Sequence, residues 1–386
     1  MVTNVSRVFE VAGTAEEMAF AQGRRFPTMI DQAFAALATL PIGPTWLPRR
    51  KWMVGTALSA LGRHYLSRIK RDLQHHGGDL WPSVCALAAG LDTSAATLLG
   101  INAFELESCN VPYRLGCTAL GFAGPQTDDG QPRLAYNHDF PPAFEPFIQV
   151  RRCRPHPTGI DALEITYPTL VGAICGVNAA GLAVSVNQGY ATDIDRRRPG
   201  VFVTMLVHQC LTSCATVAEA IDLLFAARIS NGSLVTLVDS EGSRAAVELS
   251  PSRHALRRAD DGILYSFNQF LTPTMTEIEI PVGAVTTGLV SGYDVHRCSL
   301  TRRRRFKMLT ESPRAHSDDD ITALLADHDG GPGDCDTLCR HDDPLGETIV
   351  TVIANTIERS LTVSFGHACA PKERLRVAIE KPLQTI

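Results

Sequence analysis

The residue pattern changes once along the chain, near residue 110, and that change limits what the chain can fold into. Before it, apolar residues recur at helical spacing over 14–26, 29–40, 52–73, 80–91 and 92–107. Thr14 and Glu17 form a predicted capping box that opens the first of these helices. After the change the runs are short and strand-like. Residues 117–122 and 133–137 flank an Asp128-Asp129-Gly130 turn, and further strands are predicted at 149–153, 161–167, 170–177 and 182–187. Two helices (201–211 and 216–228) separate these from strands at 234–239, 244–249 and 263–268. Helices at 299–310 and 318–327 precede a last hairpin, 348–355 with 360–365. Strands interrupted by helical pairs predict an α+β chain with sheets packed on helices.

Composition narrows the function classes. The 386 residues carry 36 Lys and Arg against 41 Asp and Glu, a net charge of −5, so nothing general favours a nucleic-acid partner. The longest uncharged stretch, 165–192, is interrupted by Pro168, Gly172, Gly176 and Gly181. It reads as a buried hairpin and not as a membrane span. The first thirteen residues lack the basic start and apolar core of a secretory signal. The eleven cysteines are irregularly spaced, so reduced thiols and a cytoplasmic location are expected. A Gly-rich phosphate loop, a dinucleotide fingerprint and a His-Glu-x-x-His motif are all missing, and no cofactor is implied.

At the boundary between the two patterns stands Gly116-Cys117-Thr118. A glycine before a nucleophile that opens a strand hairpin is what a self-cleaving amidase needs. Glycine leaves its carbonyl open to the neighbouring thiol and tolerates strained backbone. Attack would convert the amide into a thioester, and water would then release Cys117 as a new N-terminus. Its α-amine, with a reference pKa of about 7.7–8.0, could serve as the base for its own thiol. The same three residues also fit an ordinary buried cysteine.

The order of motifs along the chain resembles the penicillin acyltransferase-like family of autoproteolytic N-terminal-nucleophile (Ntn) hydrolases, with the wider layout of the choloylglycine hydrolases. The matching pieces are Gly13-Thr14-Ala15-Glu16-Glu17 with Gly23, Gly116-Cys117-Thr118, and Asp129-Gly130 with Asn137-His138-Asp139. They continue through 176–187, 266–270, Cys298-Ser299-Leu300-Thr301-Arg302, and Cys339-Arg340-His341 with the hairpin at 348–365.

That resemblance implies a four-layer αββα sandwich with a helical N-terminal segment, cut between Gly116 and Cys117 into residues 1–116 and 117–386. Asp139 would orient the α-amine, and Asn187 and Asn268 would donate to an oxyanion. Arg302 would tune the thiol and hold Asp139, with the register between Arg302 and Arg303 left open. Residues 140–147, led by Phe140, and Tyr190 would line an apolar acyl pocket. The implied substrate is a small N-acyl amide, such as an N-acyl amino acid, peptide or β-lactam. Whether water or an amine takes the acyl group stays open, as does a homo-oligomer. The competing reading is an uncleaved, non-catalytic relative that binds or scaffolds.

Several residues are set aside. His138 reads as lining or structural, and Arg133, sixteen residues after the cysteine, is not counted in the site. Cys335, Cys339 and His341 give only three soft ligands, so no metal is expected. A papain-like set of Cys117, His254 and Asn268 fits poorly, because cysteines of that type open a helix.

Overall fold

The computed structural model describes residues 6–41, 50–76, 78–102, 116–195, 197, 199–259, 262–285, 292 and 294–379. Its centre is a pair of stacked sheets. The strands are β1 (Val8–Gly13), β2 (Gly116–Phe122), β3 (Arg133–Phe140), β4 (Gln149–Pro155), β5 (Ala162–Thr166), β6 (Cys175–Asn178) and β7 (Ala183–Gln188). They continue with β8 (Ser233–Val238), β9 (Arg244–Leu249), β10 (His254–Arg257), β11 (Leu264–Ser266), β12 (Glu347–Asn355), β13 (Ser360–His367) and β14 (Ala370–Ala378). An eight-stranded sheet runs β1-β4-β5-β6-β7-β8-β9-β10, and a six-stranded sheet runs β11-β2-β3-β12-β13-β14.

Helices cover both outer faces. The early helices are α1 (Ala15–Arg25), α2 (Met29–Thr39), α3 (Lys51–His76), α4 (Leu80–Gly90) and α5 (Ala95–Ile101). The later ones are α6 (Val203–Ser213), α7 (Val217–Ala226), α8 (Arg297–Leu309) and α9 (Asp318–Leu325). α1, α4, α6 and α7 share one apolar cluster with both sheets. α8 and α9 pack Phe306, Ile321, Leu324 and Leu325 on Leu120, Phe122, Ala135 and Ile353 from the far face of the six-stranded sheet. The result is the expected four-layer αββα arrangement. Because both faces of each sheet are covered, β2, β3, β8 and β9 are buried along their whole length, and their apolar runs show little alternation.

The capping box at α1 forms in full: Thr14 accepts from the Glu17 amide, and Glu17 reaches back to the Thr14 amide. The uncharged 165–192 stretch folds as the antiparallel run β5-β6-β7 inside the eight-stranded sheet. No single helix among the described residues is long and apolar enough to cross a membrane.

Three strands escape sequence reading. β1 is a short parallel edge strand on β4, β10 is a four-residue edge beside β9, and β14 carries Lys372, Glu373, Arg374 and Arg376. Charge along an exposed edge hides the apolar signal and protects the edge from further pairing. The strand expected at 170–177 is shortened to Cys175–Asn178. Gly172 runs so close to α6 that a Cβ there would lie 2.3 Å from the Thr204 carbonyl carbon. The helix expected over 92–107 is seen as Ala95–Ile101, its last part lying outside the described residues.

Phe306 anchors α8 by its contacts with the rings of Tyr265 and Phe267, 5.4 and 6.1 Å away. Phe306→Ala is expected to cost about 3–5 kcal/mol in urea unfolding, by lost transfer energy and the cavity left behind. A loss below about 1 kcal/mol would contradict this packing.

Candidate active site

The paired strands β2 and β3 sort the motif residues onto two faces. Gly116 faces Asp139 across the ladder, and Cys117 faces His138. Side chains alternate along a strand, so Cys117 shares its face with Tyr136, His138 and Phe140 from β3. Asp139 and the position of a Gly116 Cβ turn the other way, towards two buried arginines.

On the second face, Arg302 is fully buried and reaches in from α8. Its Nη1 donates to the Cys117 carbonyl (2.8 Å) and to Thr118 Oγ1 (3.0 Å), while Nη2 donates to Asn268 Oδ1 (2.8 Å). Among the four consecutive arginines, Arg302 is therefore the inward one. Arg303 is half-buried, Arg304 is exposed, and Arg305 pairs outward with Asp327 and Asp329. Asn268 also accepts from the Cys117 amide (3.0 Å), and its Nδ2 donates to the Gln188 carbonyl (2.9 Å). Two donors converge on Oδ1, which fixes the orientation of this amide. Asn187 Nδ2 donates to the carbonyls of Cys117, Ser266 and Phe267 at 2.9–3.0 Å.

The amide donors expected for an oxyanion are thus turned elsewhere. Asn187 and Asn268 grip the backbone of Cys117 from both sides. Asp139 accepts from Thr348 Oγ1 at 2.7 Å, and its second oxygen, Oδ2, is buried without a hydrogen-bond partner. That oxygen lies 3.7 Å from Arg302 and 3.8 Å from Arg340. Burial raises the Asp139 carboxyl above its ordinary range, while Arg340 and Arg302 pull it back down. A Cβ added to Gly116 would sit 2.4 Å from Arg340 Nη1 and 2.6 Å from Asp139 Oδ2. Only glycine fits here without displacing a buried charge.

On the first face, the thiol borders a cavity lined by Tyr136, His138, Asp139, Phe140, Tyr167, Ile174, Val186 and Val203, with Gln188, Thr204, Ser230, Asn231 and Ser233. Burial, and then the Asp139 charge, push the Cys117 thiol up to about 11, so it is protonated at neutral pH. Tyr136 Oη lies 2.7 Å from the Val186 carbonyl, 3.2 Å from Cys117 Sγ and 3.3 Å from His138 Nδ1. The carbonyl can only accept, so it takes the one phenolic proton and leaves the phenol oxygen to accept. His138 Nε2 is 3.1 Å from Tyr167 Oη. Burial lowers the His138 pKa to about 3, so its ring is a neutral member of this network and a poor proton acceptor.

Phe140 lines this cavity and stacks on His138. Tyr190 does not: it lines a separate cavity with Cys298, Arg302 and Arg340, and packs edge-on against His296. Arg133 pairs with Asp129 and Asp318 at the opposite end of the hairpin from Cys117, and His254 stacks on Phe225. Tyr136, Tyr167 and Arg340 carry the local geometry without having been singled out as site residues, while His138 takes the lining place that the sequence suggested. Arg340 stood within a motif, and the alternation of β3 could have flagged Tyr136 as a same-face neighbour of the cysteine.

His138 makes acid stability testable. Its folded pKa is depressed, so between about pH 6.5 and 3 the unfolded chain binds more protons and stability falls as pH drops. Replacing it by His138→Gln should flatten the fall by about 1.4 kcal/mol per pH unit at most, read by urea titrations across that window. An unchanged slope would contradict a neutral buried ring.

A model of the family described as acyl-coenzyme A:6-aminopenicillanic acid acyl-transferase matches residues 127–369. A search of curated proteins gave no match. Similar solved structures include an ortholog of N-acylethanolamine-hydrolyzing acid amidase from Caenorhabditis elegans, at 14% identity and a TM-score of 0.43, covering 62% of this chain and 93% of that one. A mutant of conjugated bile acid hydrolase from Clostridium perfringens has 12% identity and a TM-score of 0.40, covering 68% and 92%. Penicillin V acylase from Agrobacterium tumefaciens has 13% identity and a TM-score of 0.40, covering 68% and 86%. With more than half its length matched by one family model, the chain belongs to the acyl-coenzyme A:6-aminopenicillanic acid acyl-transferase family.

Proposed function

We propose that the chain cuts itself between Gly116 and Cys117, and that Cys117 then cleaves an N-acyl amide through a thioester. The observation that carries this reading is the grip on residue 117. Its amide proton is held by Asn268, its carbonyl by Asn187 and Arg302, and its thiol alone faces a cavity.

In the first step Sγ bonds to the Gly116 carbonyl carbon, the Gly116–Cys117 C–N bond breaks, and the thiol proton ends on the departing nitrogen. Water then hydrolyses the thioester, leaving a Gly116 carboxylate and a free Cys117 amine. The products are chains of 116 and 270 residues of one folded unit. Asn268 Oδ1, already the acceptor for this nitrogen, would keep the amine in place. Asp139 Oδ2, buried beside Gly116, would interact with its charged form. The amine has an ordinary pKa near neutrality, which suits it to take the proton that His138 cannot hold.

In turnover the same sulfur would take the acyl group of a small-molecule amide and pass it to water or to an amine. Phe140, Tyr167, Ile174, Val186 and Val203 favour an apolar acyl chain in the cavity. Arg302, Asn187 and Asn268 act as positioning residues for Cys117 rather than as oxyanion donors. No step requires a cofactor.

Intact mass tests both halves. The wild-type chain should resolve into species ending at Gly116 and beginning at Cys117, whereas Cys117→Ala should stay full length. The cut chain should release acyl groups from members of a panel of N-acyl amino acids, peptides and β-lactams, with and without an amine acceptor. A wild-type chain that stays whole on long incubation and resists thiol labelling at Cys117 would instead mark a non-catalytic binding protein.

A further inference from the structure

Beyond the amidase site, the same end of the six-stranded sheet gathers a second group of reactive side chains towards its β13–β14 edge. His328 lies in the loop after α9, Cys339 and His341 precede β12, and Cys369 sits in the β13–β14 turn. Their ligand atoms all lie within 4.8 Å of one another. His341 Nε2 is 3.0 Å from His328 Nε2, 3.4 Å from Cys339 Sγ and 3.4 Å from Cys369 Sγ.

Hydrogen bonding does not account for this convergence. An imidazole nitrogen offers one proton or one lone pair, and cannot satisfy another nitrogen and two sulfurs together. A cation that accepts one lone pair from each residue does. Tetrahedral zinc bonds of about 2.0–2.1 Å to nitrogen and 2.3 Å to sulfur put ligand atoms roughly 3.3–3.8 Å apart, close to these separations. Two histidines and two cysteines form one of the closed sets typical of structural sites.

The surroundings also fit. Gly333 has a φ of +91°, and a Cβ there would lie 2.7 Å from His341 Cδ2 and 3.1 Å from His328 Cδ2, so the loop closes directly on both rings. The Cys369 amide lies beside the Cys339 sulfur, and the His367 ring packs on His341 at 3.9 Å while bonding Glu347. Outer contacts of this sort orient metal ligands. A second convergence, Cys153 with Glu164 and His208, differs because Arg151 already neutralises Glu164 at 2.7 Å.

We propose that His328, Cys339, His341 and Cys369 bind one zinc-class divalent cation per chain, which fixes the backbone on either side of Arg340. The expectation of no metal rested on Cys335, Cys339 and His341. Cys335 is outside the cluster, and its carbonyl accepts from Arg340 Nε. The fold supplies instead His328 and Cys369, the latter 28 residues after His341. Two metal–sulfur bonds form as the two thiols release their protons to solvent, and the imidazoles bind as neutral ligands. Arg340, between two ligands, is thereby held against Asp139 and Gly116.

The test uses the full chain, expressed without a histidine tag and purified without chelator. Metal analysis should find about one zinc per chain after gel filtration. Cobalt substituted for zinc should show thiolate-to-metal charge transfer and tetrahedral d–d bands. The exposed turn residue makes Cys369→Ser a variant that should keep its far-ultraviolet circular dichroism. It should hold metal at least tenfold more weakly and lose part of the charge-transfer band. Fewer than about 0.1 ions per chain after incubation with zinc would overturn the proposal. So would metal content and affinity unaffected by Cys369→Ser and His328→Ala, or a Cys339–Cys369 disulfide in chain isolated under reducing conditions.

Discussion

A single buried guanidinium holds the site together. Arg302 joins α8 to the first residues of β2 by donating to the Cys117 carbonyl and Thr118, and joins both to the β11 end through Asn268. A charge taken out of water must recover its hydration from fixed partners, and here both Nη groups bond to the segment that carries the thiol or to the asparagine that grips it, while Nε turns to Cys298 Sγ on α8. The nearby carboxylate of Asp139 supplies the opposite charge, and Arg340 adds a second cation from the chain before β12. The backbone of residue 117 is thus fixed by electrostatics, while its side chain is left to face a cavity.

That division follows from strand geometry. One residue along β2 or β3 moves a side chain from the charged face to the cavity face. Asp139 and His138 are neighbours in sequence, yet one lies among arginines and the other among tyrosines and phenylalanine. The thiol is kept protonated by burial and has no strong base among the described residues of its own face. A chain built this way needs a proton acceptor that comes with the nucleophile, and a freed α-amine at Cys117 is such a group. The charged face, meanwhile, leaves no room for a side chain at residue 116, which ties the glycine to the same arrangement.

Much of this was legible in the sequence, and the gaps have physical causes. The switch from helical to strand spacing located β2, and the order of family motifs pointed to Cys117, Asp139 and Arg302 as a group. The run of four arginines hid its inward member, because charge type alone does not reveal helix phase; burial on α8 does. Tyr190, expected to line the acyl pocket, lines a different cavity from the one that Cys117 borders. Tyr136 meets the thiol across strand pairing and Tyr167 meets His138 across the stacked sheets, and the orientation of Asn268 depends on two donors from distant segments. β1 and β14 carry too little apolar pattern to be seen, and β14 helps form the turn that brings Cys369 to His341.

The central claim is that Cys117 becomes the N-terminus of a separate chain and reacts as an amine and thiol together. A reagent specific for 1,2-aminothiols, such as a cyanobenzothiazole, measures this directly when followed by peptide mapping. The account predicts one adduct, on a chain that begins at Cys117, and none on Cys117→Ala. Absence of any chain beginning at Cys117, with the wild-type protein unlabelled, would contradict it.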